Sequence, residues 1–478
     1  MSQIKPLVLD VDGTFLKTDL LLETFWAGLG HDPLATLAAS VTHFRHPEKL
    51  KAALARITPV RTDLMPVHPD ISKLADQSKA AGREVVLASA SNEGLVRQIA
   101  DEHGFSPRIF ASTEAVNLKG QAKAEALVEA FGKDGFDYAG NAPVDAKVWS
   151  EAENVLMVGA QPSLAARLAR AGKNVTTYPG GWAWRDVIRA IRPHQWVKNV
   201  LLLLPMLAAH DFTLATLLPV LMGIVAFSAA ASSIYVVNDL LDLEADRLHP
   251  TKSRRPFASG AVPIGVGMVI GVGLGLSALV LAASLNWAFL GVIALYIVLS
   301  LAYSLKLKRM RWVDIVMLAS LYTVRVVAGA AAGEVAITQS MLVFVFPVFI
   351  TLGCVKRLTE LAKAKNDDRL PGRGYGRADR PDLLNVAGVG VVGALLIFFI
   401  YTLTPQAQAL YPDRWLLWCA IPFLAQWLIR MVRIGWQGKM DYDPIVFAMR
   451  DKVGLGVMFF TMSLLFWAAG LWAEWFGA

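Results

Sequence analysis

Cysteine is scarce in this 478-residue chain: only Cys354 and Cys419 occur, far apart and both in apolar stretches. No CxxC pair exists, which argues against a structural zinc site or a disulfide framework. The first residues, MSQIKPLVLDVDGT, lack the long apolar core of a secretory signal, so the N-terminal domain is expected to stay in the cytoplasm. Beyond residue 190 every second loop is almost empty of basic residues, Arg414 being the exception. The net charge of +7 therefore reads as membrane topology rather than as affinity for nucleic acid, and no nucleic-acid partner is expected.

What is present falls into two unlike halves. Up to about residue 190 the chain reads as a mixed soluble α/β domain; beyond it lie repeated apolar runs. A bilayer core of about 30 Å needs about 20 apolar residues of helix. Nine spans are expected, at 196–210, 214–237, 263–283, 286–304, 312–333, 338–360, 385–404, 414–430 and 455–474. The loops after the second, fourth, sixth and eighth carry clusters such as Arg247, Lys252, Arg254 and Arg255, or Lys356, Arg357, Lys363, Lys365 and Arg369. By the positive-inside rule those loops and the N-terminus face the cytoplasm, the membrane is the cytoplasmic (inner) one, and an odd number of spans puts Ala478 outside. Gly180, Gly181 and Pro193 mark the join, and Arg185, Arg189 and Arg192 lead into Trp196 as an amphipathic stretch at the membrane surface. The expected domains are 1–182, a linker over 183–195, and a membrane domain over 196–478. A GxGxxG string at Gly388, Gly390 and Gly393 lies inside an expected span with no strand before it, and reads as small-residue helix packing.

In the first half, residues 6–11 form an apolar β-type run ending in DVDGT, which delivers Asp10 and Asp12 to a strand's C-terminal end, where α/β proteins bind ligands. Two carboxylates one residue apart repel without a cation; Mg²⁺ would let both ionise, one as nucleophile and one as acid/base. A second strand over 84–88 ends at Ser89, a hydroxyl able to bind phosphate oxygen. Lys123, after a turn at 117–120, suits phosphate as a point charge. A third strand leads to Asn141 and Asp145, the latter a further cation ligand. Each alone is also an ordinary strand-end polar residue. In this order they resemble the haloacid dehalogenase superfamily of aspartyl-phosphate hydrolases, over roughly residues 4–180. The resemblance implies a Rossmann-like α/β fold with a small helical cap at about 20–70. It also implies that Asp10 attacks phosphorus, Asp12 protonates the leaving oxygen and activates water, Ser89 and Lys123 hold the phosphoryl group, and Asp145 helps bind Mg²⁺. The family usually has an acid where Asn141 stands, which removes one charge from the metal site and leaves a slow, selective or purely regulatory domain open.

In the second half the most informative text is NDLLDLEAD, carrying Asn238, Asp239, Asp242 and Asp246. Acids at i, i+3 and i+7 share one helix face. At the end of an apolar helix such a row is costly unless something positive sits between the carboxylates, and Mg²⁺ carrying a diphosphate meets that need. The bland alternative is a solvated, charged helix end. The cations that follow, Lys252, Arg254 and Arg255, suit an anionic substrate bridged by metal. Lys198 and Asn199 open the first span, Tyr303 and Lys306 end the fourth, Asp314 begins the fifth and Arg325 lies within it, and Lys356 and Glu360 stand one turn apart at the end of the sixth. Arg325 reads equally as a substrate contact or as an interhelical ion pair. Asp443 with Pro444, and Arg450 with Asp451, read as a charged turn, with a lid element as the alternative.

The acidic string resembles NDxxDxxxD of the UbiA superfamily of intramembrane prenyltransferases, over about 186–478, and implies an all-α nine-helix bundle. Members carry a second aspartate-rich motif after the sixth span; here that region reads KRLTEL and then Asp367 and Asp368, more basic than usual. The blocks RPHQWVKN, NDLLDLEADRLHPTKSRRP and KRLTEL are more similar to one branch, the decaprenyl-phosphate phosphoribosyltransferases. That likeness implies Mg²⁺-dependent transfer of 5-phosphoribosyl from phosphoribosyl pyrophosphate to a polyprenyl phosphate, and a phosphatase domain that could remove the 5-phosphate from the product. The alternatives are an ordinary UbiA-type transfer of a prenyl group to an aromatic or lipid acceptor, or an N-terminal domain that only senses a phosphorylated ligand.

Overall fold

The computed structural model describes residues 5–364, 369, 373–440 and 443–477. Lys365, Asp367, Asp368 and Ala478 lie outside the described residues. The chain divides into two compact units, one formed by 1–191 with 235–271, the other by 192–234 with 272–478. The segment 235–271, which holds the acidic string, therefore packs with the N-terminal half.

The first unit is built on a six-stranded parallel sheet, β1 (Leu7–Leu9), β2 (Val85–Asn92), β3 (Ile109–Ser112), β4 (Asp137–Gly140), β5 (Asn154–Val158) and β6 (Asn174–Tyr178), in the order β3-β2-β1-β4-β5-β6. The central strand β1 is Leu-Val-Leu, fully buried, as expected of a parallel strand covered on both faces. Leu7, Leu9 and Leu87 face one apolar cluster, while Val8, Val86, Tyr138 and Met157 face another. Because β2, β1 and β4 are neighbours, the residues following them are gathered at one end of the sheet. Between β1 and β2 a helical insert carries α1 (Leu20–His31), α2 (Pro33–Thr42), α3 (Pro47–Ile57) and α4 (Pro69–Ala80). The remaining crossings are α5 (Glu93–Glu102), α6 (Gln121–Phe131), α7 (Ala146–Trp149) and α8 (Pro162–Arg170), and α9 (Trp184–Ile191) closes the half.

The second unit is helical. After Pro193–Leu203, a 3₁₀ stretch, come α10 (Leu204–Ala209), α11 (Leu214–Leu241), α12 (Leu243–Leu248), α13 (Ile264–Leu285), α14 (Trp287–Leu305), α15 (Val313–Gly333), α16 (Gln339–Lys363), α17 (Arg380–Thr402), α18 (Pro405–Leu410), α19 (Arg414–Trp436), α20 (Pro444–Ala448), α21 (Lys452–Ala468) and α22 (Leu471–Phe476). The end of α11, all of α12 and the start of α13 belong to the first unit. Among the described residues seven helices are long and apolar enough to cross a membrane: α11, α13, α14, α15, α16, α17 and α19. This makes the chain a multi-pass membrane protein in which seven of the nine expected spans are helices of that length. The first expected span is instead a 3₁₀ run followed by six residues of α-helix. Arg192 adopts left-handed backbone, and Pro193 and Pro205 each remove an amide donor. The last is interrupted at Gly470, in left-handed conformation, and splits into helices of 17 and 6 residues.

Candidate functional site

Three groups of polar side chains are assembled by this fold. The first sits where β1, β2 and β4 end. Asp10 follows β1 and is buried; its Oδ1 accepts from Lys123 Nζ at 2.6 Å and its Oδ2 from Thr14 Oγ1 at 3.3 Å. Lys123, from α6, also donates to Tyr138 Oη at 3.0 Å and lies 3.9 Å from Asp145. Asp145 accepts from the backbone of Asn141 and Ala142, and the Asn141 side chain meets Thr14. Asp12 accepts from Ser91 at 2.6 Å, Ser89 at 3.1 Å and the Leu20 amide at 2.8 Å. Gly13 has φ +72°, and a Cβ there would stand 2.2 Å from the Asn141 amide, so only glycine lets the loop close over Asn141.

The sequence-expected residues thus gather at one end of the sheet, Asp10, Lys123, Asn141 and Asp145 in one hydrogen-bonded set and Asp12 with Ser89 in another. Burial, opposed by Lys123 and helped by Asp145 and Asp12, pushes the Asp10 carboxyl up to about 7. Burial works against the Lys123 ammonium, but Asp10 and Asp145 outweigh it and hold Lys123 above its ordinary range. One lysine against three acids leaves negative charge in excess, which suits a cation. Two members escape sequence reasoning. Ser91 binds Asp12 more closely than Ser89 does. Lys51, from α3 of the insert, reaches Ala90 O at 2.5 Å and Asn117 at 3.1 Å. Only the folding back of the insert brings Lys51 there.

The second group belongs to the acidic string. Helix α11 stops at Leu241 and α12 starts at Leu243, so Asp242, half-buried, stands at a break rather than inside one continuous helix. Asp239 and Asp246 are buried and nevertheless converge: Arg255 Nη1 lies 3.2 Å from Asp239 and 2.6 Å from Asp246. The positive group between these carboxylates is a guanidinium of the same chain. Burial raises the Asp246 carboxyl and Arg255 opposes it. Asn238 Oδ1 is buried without a hydrogen-bond partner, an oxygen acceptor of the kind a hard cation or its water takes up. Arg254 is exposed and Lys252 half-buried, in the short turn Lys252–Arg254. Next to Asp246, Arg247 donates to both oxygens of Glu23 on α1, and to Ala258 O. Among the described residues no three His, Cys, Asp or Glu side chains form a metal cage. Any cation held here would draw on Asn238 Oδ1, on substrate oxygens and on carboxylates released from Arg255.

The third group lies in the helical unit. Lys198, in the 3₁₀ run, is 2.6 Å from Asp443, and Lys356 is 3.7 Å from the same oxygen, which also accepts from Tyr322 at 3.1 Å. Asp443 is therefore buried in the bundle rather than standing in a charged surface turn. Burial acts to raise its carboxyl, but Lys198 and Lys356 outweigh that and hold it well below the usual range. Glu360 does not pair with Lys356: its partner is Arg357, which also donates to both oxygens of Asp314 and, at 3.0 Å, to Tyr303. Arg373 reaches Tyr303 at 3.1 Å. Arg325 donates to Asn199, Leu321 O and Tyr296, and lies over the rings of Phe227 and Tyr296, so neither an ion pair nor an open substrate contact describes it. Asn199 donates to Ser228 at 2.8 Å. Lys306 is exposed and joins neither cluster. In the same unit a cavity of about 920 Å³ is lined by Leu204, Met341, Phe344, Trp427, Met458 and Leu465 among others, overwhelmingly hydrocarbon.

Known proteins resemble this chain. Residues 200–464 match the UbiA prenyltransferase family. The uncharacterized protein y4nM of Sinorhizobium fredii is 31% identical over 455 residues, covering 94% of this chain and 88% of that protein. The decaprenyl-phosphate phosphoribosyltransferase of Mycobacterium tuberculosis is 34% identical over 294 residues, 59% of this chain and 93% of that enzyme. A UbiA homologue from Archaeoglobus fulgidus, solved with GPP and Mg²⁺, shows a TM-score of 0.46 and 14% identity over 60% of this chain and 99% of that one, a likeness too distant to carry a functional reading. With more than half its length matched, and its acidic string and apolar helices in place, this chain belongs to the UbiA prenyltransferase family.

Proposed function

We propose that the membrane part transfers a 5-phosphoribosyl group from phosphoribosyl pyrophosphate to a polyprenyl phosphate, and that the N-terminal domain is a haloacid dehalogenase-type phosphatase acting on the lipid-linked product. The observation that carries the transfer is the cluster of Asp239, Asp246 and Arg255 with the unsatisfied Asn238 oxygen. It offers acids for a divalent cation and a guanidinium for an anionic leaving group. Mg²⁺ held by Asp239, Asp242 and Asp246 would neutralise the departing pyrophosphate. Arg255, released from the acids, would pair with phosphate oxygens. Lys198 and Lys356, held by Asp443, are the cations suited to the acceptor phosphate, and the cavity of about 920 Å³ suits a polyprenyl tail. The acceptor oxygen is already anionic and needs no base; it bonds to the anomeric carbon as pyrophosphate leaves. The named activity of the Mycobacterium tuberculosis relative supports phosphoribosyl transfer to a polyprenyl phosphate.

In the N-terminal domain, facing the cytoplasm, Asp10 would attack phosphorus and Lys123 would hold the phosphoryl oxygens. Asp12 would protonate the leaving ribose oxygen and then take a proton from the water that splits the aspartyl phosphate. With Asn141 in place of the usual acid the metal site has one charge fewer, which leaves a slow, selective or purely regulatory domain open.

The family match favours a second reading, prenyl transfer from a prenyl diphosphate to an aromatic or lipid acceptor. Membranes holding the protein, given labelled phosphoribosyl pyrophosphate and polyprenyl phosphate, should yield a charged lipid product and pyrophosphate. Asp239→Asn should abolish both while leaving the protein folded. Pyrophosphate released only when a prenyl diphosphate is supplied would assign the second reading.

A further inference from the structure

We propose that α2 of the N-terminal unit is a membrane-interface element whose apolar stripe lies in the headgroup region of the bilayer. The helix is inside out. Leu34, Leu37 and Val41, with Phe44 just beyond it, fall at i, i+3, i+7 and i+10 on one face and are 82%, 49%, 81% and 79% exposed. The opposite face carries Thr36, which is buried, and Ser40, half-buried; their hydroxyls donate back to Asp32 O and Thr36 O. Thr36 packs over Gly28 of α1, where a Cβ would meet its hydroxyl at 2.8 Å. In a helix that meets water the small hydroxyl residues face outward and the large hydrocarbon side chains inward. Here the reverse holds, and a stripe of this kind marks an interaction surface.

The surroundings identify the occupant as a lipid surface. Helix α1, joined to α2 at Asp32, packs Leu22, Phe25, Trp26 and Leu29 into one cluster with Val237, Leu240, Leu241 and Ile264. Leu241 closes one membrane-length helix and Ile264 opens the next. A Cβ on Gly30, two residues before Asp32, would stand 3.8 Å from Leu241 O. The α1–α2 corner therefore stands where two spans leave the bilayer. Helix α9 buries Val187 and Ala190 in the same cluster and exposes Trp184 and Ile188, the aromatic and aliphatic side chains that settle at a membrane–water boundary. Helix α2 has no acid of its own, and Arg45 and Lys49 follow it, both exposed, with Glu48 between them half-buried and 3.4 Å from His46, a net basic end that complements anionic headgroups. On the phosphatase reading, this anchoring would hold the Asp10 site at headgroup height, where a lipid-linked phosphate is presented; the anchoring itself does not depend on that reading.

The test uses the full-length protein carrying Cys419→Ser, reconstituted in nanodiscs of phosphatidylcholine and phosphatidylglycerol. A nitroxide is attached at Val41→Cys, at Leu34→Cys, or at the control Glu129→Cys on α6. Collision of the nitroxide with oxygen, which partitions into lipid, is compared with collision with a water-soluble nickel chelate. The oxygen-to-nickel ratio at 41 and 34 should exceed that at 129 several-fold. Ratios equal to that at 129 would overturn the proposal. So would a label shielded from both quenchers, which means a protein cover, or one broadened by a second label nearby, which means a second copy on the stripe. None of these readouts uses phosphate release, so failure of the phosphatase reading and failure of the anchoring are told apart.

Discussion

At the scale of single residues, buried charge is answered by buried charge at three places, whereas Arg325 is met by an amide, a carbonyl and aromatic rings. Arg357 is wholly buried and is balanced by Asp314 and Glu360; Asp443 answers Lys198 and Lys356; Lys123 answers Asp10. Breaking such a pair from one side strands the other partner away from water, at a cost of about 3–5 kcal/mol. Asp314→Asn should therefore lower the unfolding free energy of the detergent-solubilised protein by about 3 kcal/mol, read from thermal or denaturant unfolding; a change within about 0.5 kcal/mol, the range of an ordinary surface substitution, would show that Glu360 alone balances Arg357. The sequence displays Arg357 only as one of many basic loop residues, because nothing in the order of letters tells a snorkelling cation from one wrapped by acids. Asp443 was equally illegible: its partners, Lys198 and Lys356, lie far from it along the chain.

At the scale of elements, two close approaches position the candidate site residues. The run Pro193–Leu203, with Lys198 and Asn199, lies directly on α15 at Gly329, where a Cβ would stand 1.9 Å from Leu202 O. Gly329→Ala must push that run away. Since displacement by about 1 Å can cost about 100-fold in rate, transfer should fall by one to two orders of magnitude with helical content unchanged by circular dichroism. The other approach is α1 on the acidic segment, where Glu23 holds Arg247, the residue after Asp246. Glu23→Ala should weaken transfer although Glu23 lies in the N-terminal half, and the paired exchange Glu23→Arg with Arg247→Glu should recover part of it. Unchanged rates in Glu23→Ala would mean that Arg247 does not set the position of Asp246. Among the elements, β1, β2, β4 and the long apolar helices are readable from apolar runs and run length, whereas β3, β5 and β6 are not. The short first and last membrane segments are not, since apolar content alone does not separate a span from a 3₁₀ run broken by proline.

At the scale of the whole molecule, two clusters of polar residues share one chain without sharing members. Asp10, Asp12 and Lys123 belong to one, Asp239, Asp246 and Arg255 to the other, with no hydrogen bond or ion pair described between them. Asp10→Asn should therefore end orthophosphate release from a lipid-linked phosphoribose while pyrophosphate release continues at its full rate. Loss of both together would mean that the two sites are coupled. Intact orthophosphate release in Asp10→Asn would remove the phosphatase assignment and leave the domain a scaffold for the acidic segment.

The amino-acid order by itself determined that the chain has an α/β half and a membrane half, marked DVDGT and NDLLDLEAD as the candidate sites, and showed which family the second half joins. Those are local properties: run length, strand-end acids and the spacing of carboxylates survive in the one-dimensional text. Tertiary structure alone decided that residues 235–271 pack with the N-terminal unit, that Arg255 sits between the acids, that Asp443 is the buried counter-ion of two lysines, and that α2 turns its hydrocarbon outward. The reason is physical. Burial energies and ion pairing depend on which distant segments meet, and in a parallel sheet and a helical bundle those meetings are set by long crossings that leave no periodic mark on either partner.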